Sequence, residues 1–97
     1  MNPDLIDSKK LATQLEAAIV AQFRKDFTRV SGTDEDLSLQ ALYISDAGDA
    51  LDVAHLIRNR NFSTASKQLS RMDTSPREDL YSLIEKIAGS QFVDKML

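Results

Sequence analysis

The sequence predicts an all-α protein: four main helices with a short helix at the C-terminal end, packed as an irregular bundle or a stack of helical hairpins. Three observations carry this. Apolar residues recur every three or four positions along nearly the whole chain, the period of a helix with one buried face. No segment alternates apolar and polar residues over the length of a strand, and no Asn-Gly or Asp-Gly hairpin signal occurs. Glycine and proline are scarce, three and two among 97 residues, and all but Gly48 fall where the apolar period is interrupted.

In the first helix, Leu11, Leu15, Ile19, Phe23, Phe27 and Val30 form one stripe. Ala12, Ala18 and Val20 make that stripe wider than a coiled-coil seam. The helix is expected to begin just after Asn2-Pro3 or near Ser8 and to stop before Ser31-Gly32, since glycine suits the left-handed residue beyond a helix end. Thr33 followed by Asp36 reads as a cap with an acid in the first turn, which offsets unpaired N–H groups. The second helix then runs from about Asp34 towards Arg60, with Leu39, Tyr43, Ala47, Ala50, Ala54 and Ile57 in line. Gly48 in its middle costs about 1 kcal/mol relative to alanine and marks either a kink or a close helix crossing.

Asn59 to Asn61 breaks the pattern. Ser63 is the expected cap of a third helix bearing Ala65, Leu69 and Met72, with Phe62 before it as a hydrophobic staple. Ser75-Pro76-Arg77-Glu78 places a cap, a first-turn proline and a capping-box glutamate in register. Leu80, Leu83, Ile84 and Ile87 carry the fourth helix to Gly89, and Ser90 to Leu97 adds a last turn or two with Phe92, Val93, Met96 and Leu97 apolar.

With 97 residues, of which 42% are hydrophobic and 28% charged, residues 1–97 are expected to form one small domain. The absence of cysteine excludes disulfides, thiolate metal sites and thiol nucleophiles. Met1 to Asp7 carries Asp4 and Asp7 where a signal peptide would be basic. The longest apolar candidate, Leu15 to Phe23, includes Glu16 and Gln22 and falls short of the roughly 20 apolar residues of a membrane span. The expectation is a cytoplasmic protein without membrane contact.

Charge is sorted along the chain. From position 34 to 52 there are six acids and no base; from 53 to 72 there are four bases and no acid. Asp46, Asp49 and Asp52 make a candidate acidic patch, and Arg58, Arg60, Lys67 and Arg71 a candidate basic one. Such local fields can steer partners. Asp46, Asp49, Asp52 and His55 repeat every third residue, and Asp52-x-x-His55 matches the spacing with which bundle proteins hold di-iron. Those sites need a second such motif, and the chain has only one histidine. The acids are read instead as a solvated face partly pairing with Arg58. No Gly-rich phosphate loop and no nucleophile elbow occurs. No catalytic residues, no metal and no cofactor are expected, and the chain is read as a non-enzyme.

From Leu56 to Pro76 the spacing resembles part of a tetratricopeptide-type helical hairpin. Phe62 comes three residues before Ala65, Leu69 follows four later, Met72 three more, and Pro76 closes the unit. Small type III secretion chaperones of that class are similar in size, and the resemblance implies a groove holding a partner helix, with Ala54 and Ala65 at the helix crossing. A second resemblance is to the helix-turn-helix of LysR-type regulators, carried by Phe62-Ser63-Thr64-Ala65-Ser66-Lys67-Gln68-Leu69, with Ser75-Pro76 opening the reading helix. The intervening turn, Ser70 to Thr74, is longer than in that motif, and the reading helix exposes Glu78, Asp79 and Glu85, which repel phosphate.

The expected function is therefore protein–protein interaction, as an adaptor, small chaperone or regulatory subunit. The expected surface is an apolar groove floored by Leu39, Tyr43, Ala47, Ala50 and Ala54, or the exposed side of the first helix, where Val20 and Ala21 flank Ile19 and Phe23. The partner is another protein, including a second copy of the chain. The alternative is a nucleic-acid-binding regulator using the basic residues 58–71.

Overall fold

The computed structural model describes residues 7–29 and 34–96. They form α1 (Ser8–Arg29), α2 (Asp34–Arg58), α3 (Phe62–Arg71), α4 (Thr74–Ala88) and α5 (Ser90–Met96), with no strand among the described residues. The fold is all-α. The expected start after Asn2-Pro3, the stop at Ser31-Gly32, the Thr33 cap, and the places of Val30 and Leu97 lie outside the described residues; so do the side chains of Asp36 and Met96.

Asp7 starts α1. Its Oδ1 accepts from the backbone N–H groups of Lys9 and Lys10, each at 3.1 Å, satisfying two of the donors that a helix start leaves unpaired. α1 and α2 then pack antiparallel over much of their length. Fully buried Ala12 and Ala54 let the backbones approach, and Leu11, Leu15, Ile19, Val53 and Ile57 fill the seam. α3 folds back on the end of α2, α4 returns along α1, and α5 closes against α3 and α4. One apolar cluster draws on all five helices. Phe92 of α5 is wholly buried in it and meets Phe62 of α3 edge to face, ring centroids 5.6 Å apart.

Several boundaries differ from the sequence reading. α2 ends at Arg58 rather than near Arg60, in a left-handed turn. Arg60 has φ +58°, Asn61 N–H donates to Leu56 C=O at 2.9 Å, and Arg60 N–H donates to Ile57 C=O at 2.9 Å. This is a Schellman arrangement, with an arginine where glycine is usual. Asn61, not Ser63, caps α3: its Oδ1 accepts from Thr64 N–H. Phe62 is therefore the first helical residue, and its ring stacks on α5 instead of stapling its own helix.

α4 likewise begins earlier. Asp73 takes the cap position, without a side-chain hydrogen bond, and Ser75 and Pro76 are already helical. Proline is accepted there because the first-turn N–H groups have no intrahelical acceptor to lose. The connection between α3 and α4 is thus only Met72-Asp73, shorter than the Ser70–Thr74 turn expected.

Gly48 does not mark a close crossing. α2 runs through it, and a Cβ built there would meet nothing within 4 Å. Gly89, at φ +91°, does terminate α4 and donates its N–H to Glu85 C=O at 2.8 Å.

The molecule is elongated, 47 × 22 × 20 Å. α3, α4 and α5 cover only part of the α1–α2 pair. In α1 no residue beyond Ile19 is buried, and in α2 none before Ala50, among those described. The far ends of α1 and α2 therefore project as a two-helix arm.

Candidate functional site: an acid-rimmed notch at the root of the arm

Where the arm leaves the body, three helices leave a notch of about 130 Å³. α1 contributes Ile19, Gln22, Phe23 and Asp26; α2 contributes Tyr43, Asp46, Ala47 and Ala50. The first turns of α4 form the third wall with Ser75, Pro76, Asp79, Leu80 and Leu83. The floor is apolar because the 3.6-residue period that fills the core continues outward along α1 and α2 after α4 has ended. Small Ala47 and Ala50 keep it concave.

Three carboxylates stand around this floor, those of Asp26, Asp46 and Asp79. Asp26 is engaged: it accepts from Gln22 Nε2 at 3.1 Å and faces Arg29 at 3.6 Å. Arg29 in turn donates to the Tyr43 hydroxyl at 3.3 Å, tying α1 to α2 within the arm. Asp46 has the more strained electrostatics. Partial burial, followed by the charges of Asp73 and Asp49, raises its carboxyl above the ordinary carboxylate range.

Above the notch the arm exposes large apolar side chains. Leu37, Leu39, Leu42 and Ile44 are 53%, 38%, 47% and 55% exposed, and they comprise all the strongly exposed large hydrophobic residues among those described. Leu39 and Leu42 continue the flank that holds Tyr43 and Asp46. Leu37 lies two residues from Leu39, about 200° around the helix, and shares the opposite flank with Ile44. Phe23 and Phe27, 5.3 Å apart between ring centroids, are half-buried beneath.

No protein-family model, curated protein or solved structure matches this chain. The two resemblances noted in the sequence therefore remain expectations, and the site is read from its own geometry.

Of the groove residues expected from sequence, Tyr43, Ala47 and Ala50 meet in the notch. Ala54 lies fully buried below it, and Leu39 stands beyond it on the arm. On the first helix, Val20 is half-buried and Ala21 exposed. Within the acidic set, Asp46 lines the notch and Asp49 acts on it through its charge, while Asp52 is exposed elsewhere on α2. Ile19 and Phe23 of α1 were expected beside a separate surface of the first helix and instead share this notch, whereas the α4 wall was missed: the apolar spacing of Leu80 and Leu83 reads as core, and only an α4 shorter than the α1–α2 pair leaves that spacing open.

The four basic residues differ in what they engage. Arg58 leans onto α1, donating to Glu16 at 2.9 Å and Thr13 at 3.2 Å; its acid partner is thus Glu16, not the Asp46–Asp52 face. Arg60 donates to the Ser8 hydroxyl at 2.7 Å and sits 5.2 Å over the Phe62 ring. Lys67 and Arg71 are exposed on α3. His55 is exposed, 3.2 Å from the Asn59 amide. Among the described residues no three His, Asp or Glu side chains are grouped to hold a metal ion, and no helix is long and apolar enough to cross a membrane.

Proposed function

We propose that the protein is a non-enzymatic interaction module, an adaptor, small chaperone or regulatory subunit, that receives a partner segment at the notch. What supports this is one coincidence. The concave apolar floor of Tyr43, Ala47 and Ala50 opens onto the flank of α2 carrying exposed Leu39 and Leu42. Contiguous exposed apolar surface on a small domain marks a contact site, and the notch supplies the pocket into which an anchoring side chain fits.

The nucleic-acid reading draws on Lys67 and Arg71, since Arg58 and Arg60 are turned to α1 and to Phe62. Two phosphate contacts correspond to a salt slope of only about −2.

The test is Ala47→Arg, which fills a half-buried notch position. Wild-type and variant proteins, matched in helicity and melting, are used to capture partners from the native cells. Loss of a stoichiometric protein partner supports the reading; an identical set of partners overturns it. A Lys67→Glu, Arg71→Glu variant that instead releases co-purified nucleic acid establishes the alternative.

A further inference from the structure

We infer that the notch receives an arginine side chain, presented by a helical segment of a partner protein whose neighbouring apolar residues lie along Leu39 and Leu42. The inference rests on the reading of the chain as an interaction module and names the chemistry of the partner.

The lining selects the sign of the occupant. Among the described residues it holds three carboxylates, Asp26, Asp46 and Asp79, and no lysine, arginine or histidine. Arg29 approaches from the arm, but it is engaged by Asp26 and the Tyr43 hydroxyl. The side chains of Asp46 and Asp79 have no hydrogen bond or ion pair among the described residues. Asp46 is moreover half-buried, and Asp73 and Asp49 add to the negative field around it. An acidic anchor would meet this field head on. A wholly apolar anchor would bury Asp46 further with nothing to offset its charge. A cation offsets it.

The floor selects arginine. Phe23, Tyr43, Ala47 and Ala50 offer an apolar bed for the stem of a long basic side chain. A guanidinium stacks on aromatic faces and bridges carboxylates, which an ammonium does less well. The volume of about 130 Å³ is close to the roughly 150 Å³ of a cavity that takes up benzene, so the notch admits the end of one side chain.

The flank selects a protein over a free amine. Leu39 and Leu42, 38% and 47% exposed, precede Ala47 by eight and five residues, about 12 and 7.5 Å along the helix. A small amine would leave them in water. A helical segment with leucines four and seven residues from its arginine covers them while the arginine fills the notch.

The experiment is a ¹⁵N NMR titration of the full chain with synthetic helical peptides of about 15 residues. Each carries one arginine and two leucines at that spacing, with the leucines before the arginine in one peptide and after it in the other. At least one is expected to saturate and to move the amides of Ala47 and Ala50. Citrulline in place of the arginine, or Asp46→Asn with Asp79→Asn in the protein, weakens binding at least about tenfold. Glu78→Gln with Glu85→Gln, acids outside the notch, changes it less than about twofold. The inference is overturned if neither arginine peptide saturates at millimolar concentration, or if the citrulline peptide binds as tightly. It is equally overturned if arginine amide alone binds as tightly as the peptides, which would make the notch a small-amine site. None of these results decides whether the notch receives a protein of other chemistry, which the Ala47→Arg capture tests.

Discussion

Replacing Arg60 with alanine, and separately with glycine, sets two opposed contributions at one residue against each other. Arg60 holds φ +58°, where a side chain with a Cβ is disfavoured by about 1 kcal/mol or more. What keeps an arginine there is its far end. The guanidinium donates to the Ser8 hydroxyl at 2.7 Å, on a serine that is only 5% exposed, and lies 5.2 Å over the Phe62 ring. A hydrogen bond from a charged group contributes about 1.5 kcal/mol, and a partly exposed cation–π contact about 0.5 kcal/mol. Arg60→Ala loses both and keeps the backbone strain, so it should cost about 2 kcal/mol. Arg60→Gly loses the same contacts but relieves the left-handed strain, recovering about 1 kcal/mol. The glycine variant is therefore expected to be the more stable of the two, by about 5 °C in melting temperature for a domain of this size. Urea unfolding followed by far-UV circular dichroism measures both. A glycine variant equal to or weaker than alanine refutes the strain argument; an alanine variant within about 0.5 kcal/mol of wild type refutes the anchoring of Ser8 and Phe62.

Gly48→Ala should stabilise the protein by about 1 kcal/mol, because the position is helical and a Cβ there meets nothing within 4 Å; an unchanged or lower urea midpoint counts against the continuous helix. Asp46→Asn should raise the melting temperature at pH 7. Burial and the neighbouring carboxylates Asp73 and Asp49 raise the Asp46 carboxyl above its ordinary value of 3.8, so its charge opposes folding above the native pKa, and the penalty disappears as pH falls below 3.8. A gain of equal size at pH 7 and pH 3 would contradict this. The Arg58–Glu16 pair, 2.9 Å apart with side chains 31% and 35% exposed, should show a coupling of only about 0.5 kcal/mol in a double-mutant cycle. Phe92→Ala should cost about 3–5 kcal/mol, since the ring is wholly buried and no neighbour is free to refill its place against Phe62; a loss under about 1 kcal/mol would show α5 to be dispensable.

Long helical stripes were legible because burial repeats them many times: Leu11, Leu15 and Ile19, or Leu80 and Ile84, report the same face over several turns. Helix ends rest on single residues, and there the physics allowed more than one solution. Pro76 is compatible with any first-turn position, so it located the start of α4 only to within a turn. Asn61 and Ser63 are both good caps, and the tight turn at Arg60 decided between them. That turn had no signal of its own, since its left-handed residue is held by a long-range contact to Ser8 and not by being glycine. The notch was half legible. Tyr43, Ala47 and Ala50 lie on a readable stripe, but periodicity cannot say that the stripe on α2 outruns the helices that cover it. The same limit hid the exposure of Leu42 on the arm.

α2 passes without interruption from the covered body into the uncovered arm, which makes its amides an internal scale of protection. Those around Val53 to Ile57 sit over wholly buried side chains and should exchange with deuterium only through global unfolding. Those around Leu39 to Tyr43 lie on exposed or half-buried residues, with the Arg29–Tyr43 hydrogen bond tying the stretch to α1, and should exchange through local opening at much lower free energy. One helix thus offers two reporters, and whatever settles on the arm writes itself into the amides around Leu39 to Tyr43 while leaving those around Val53 to Ile57 unchanged.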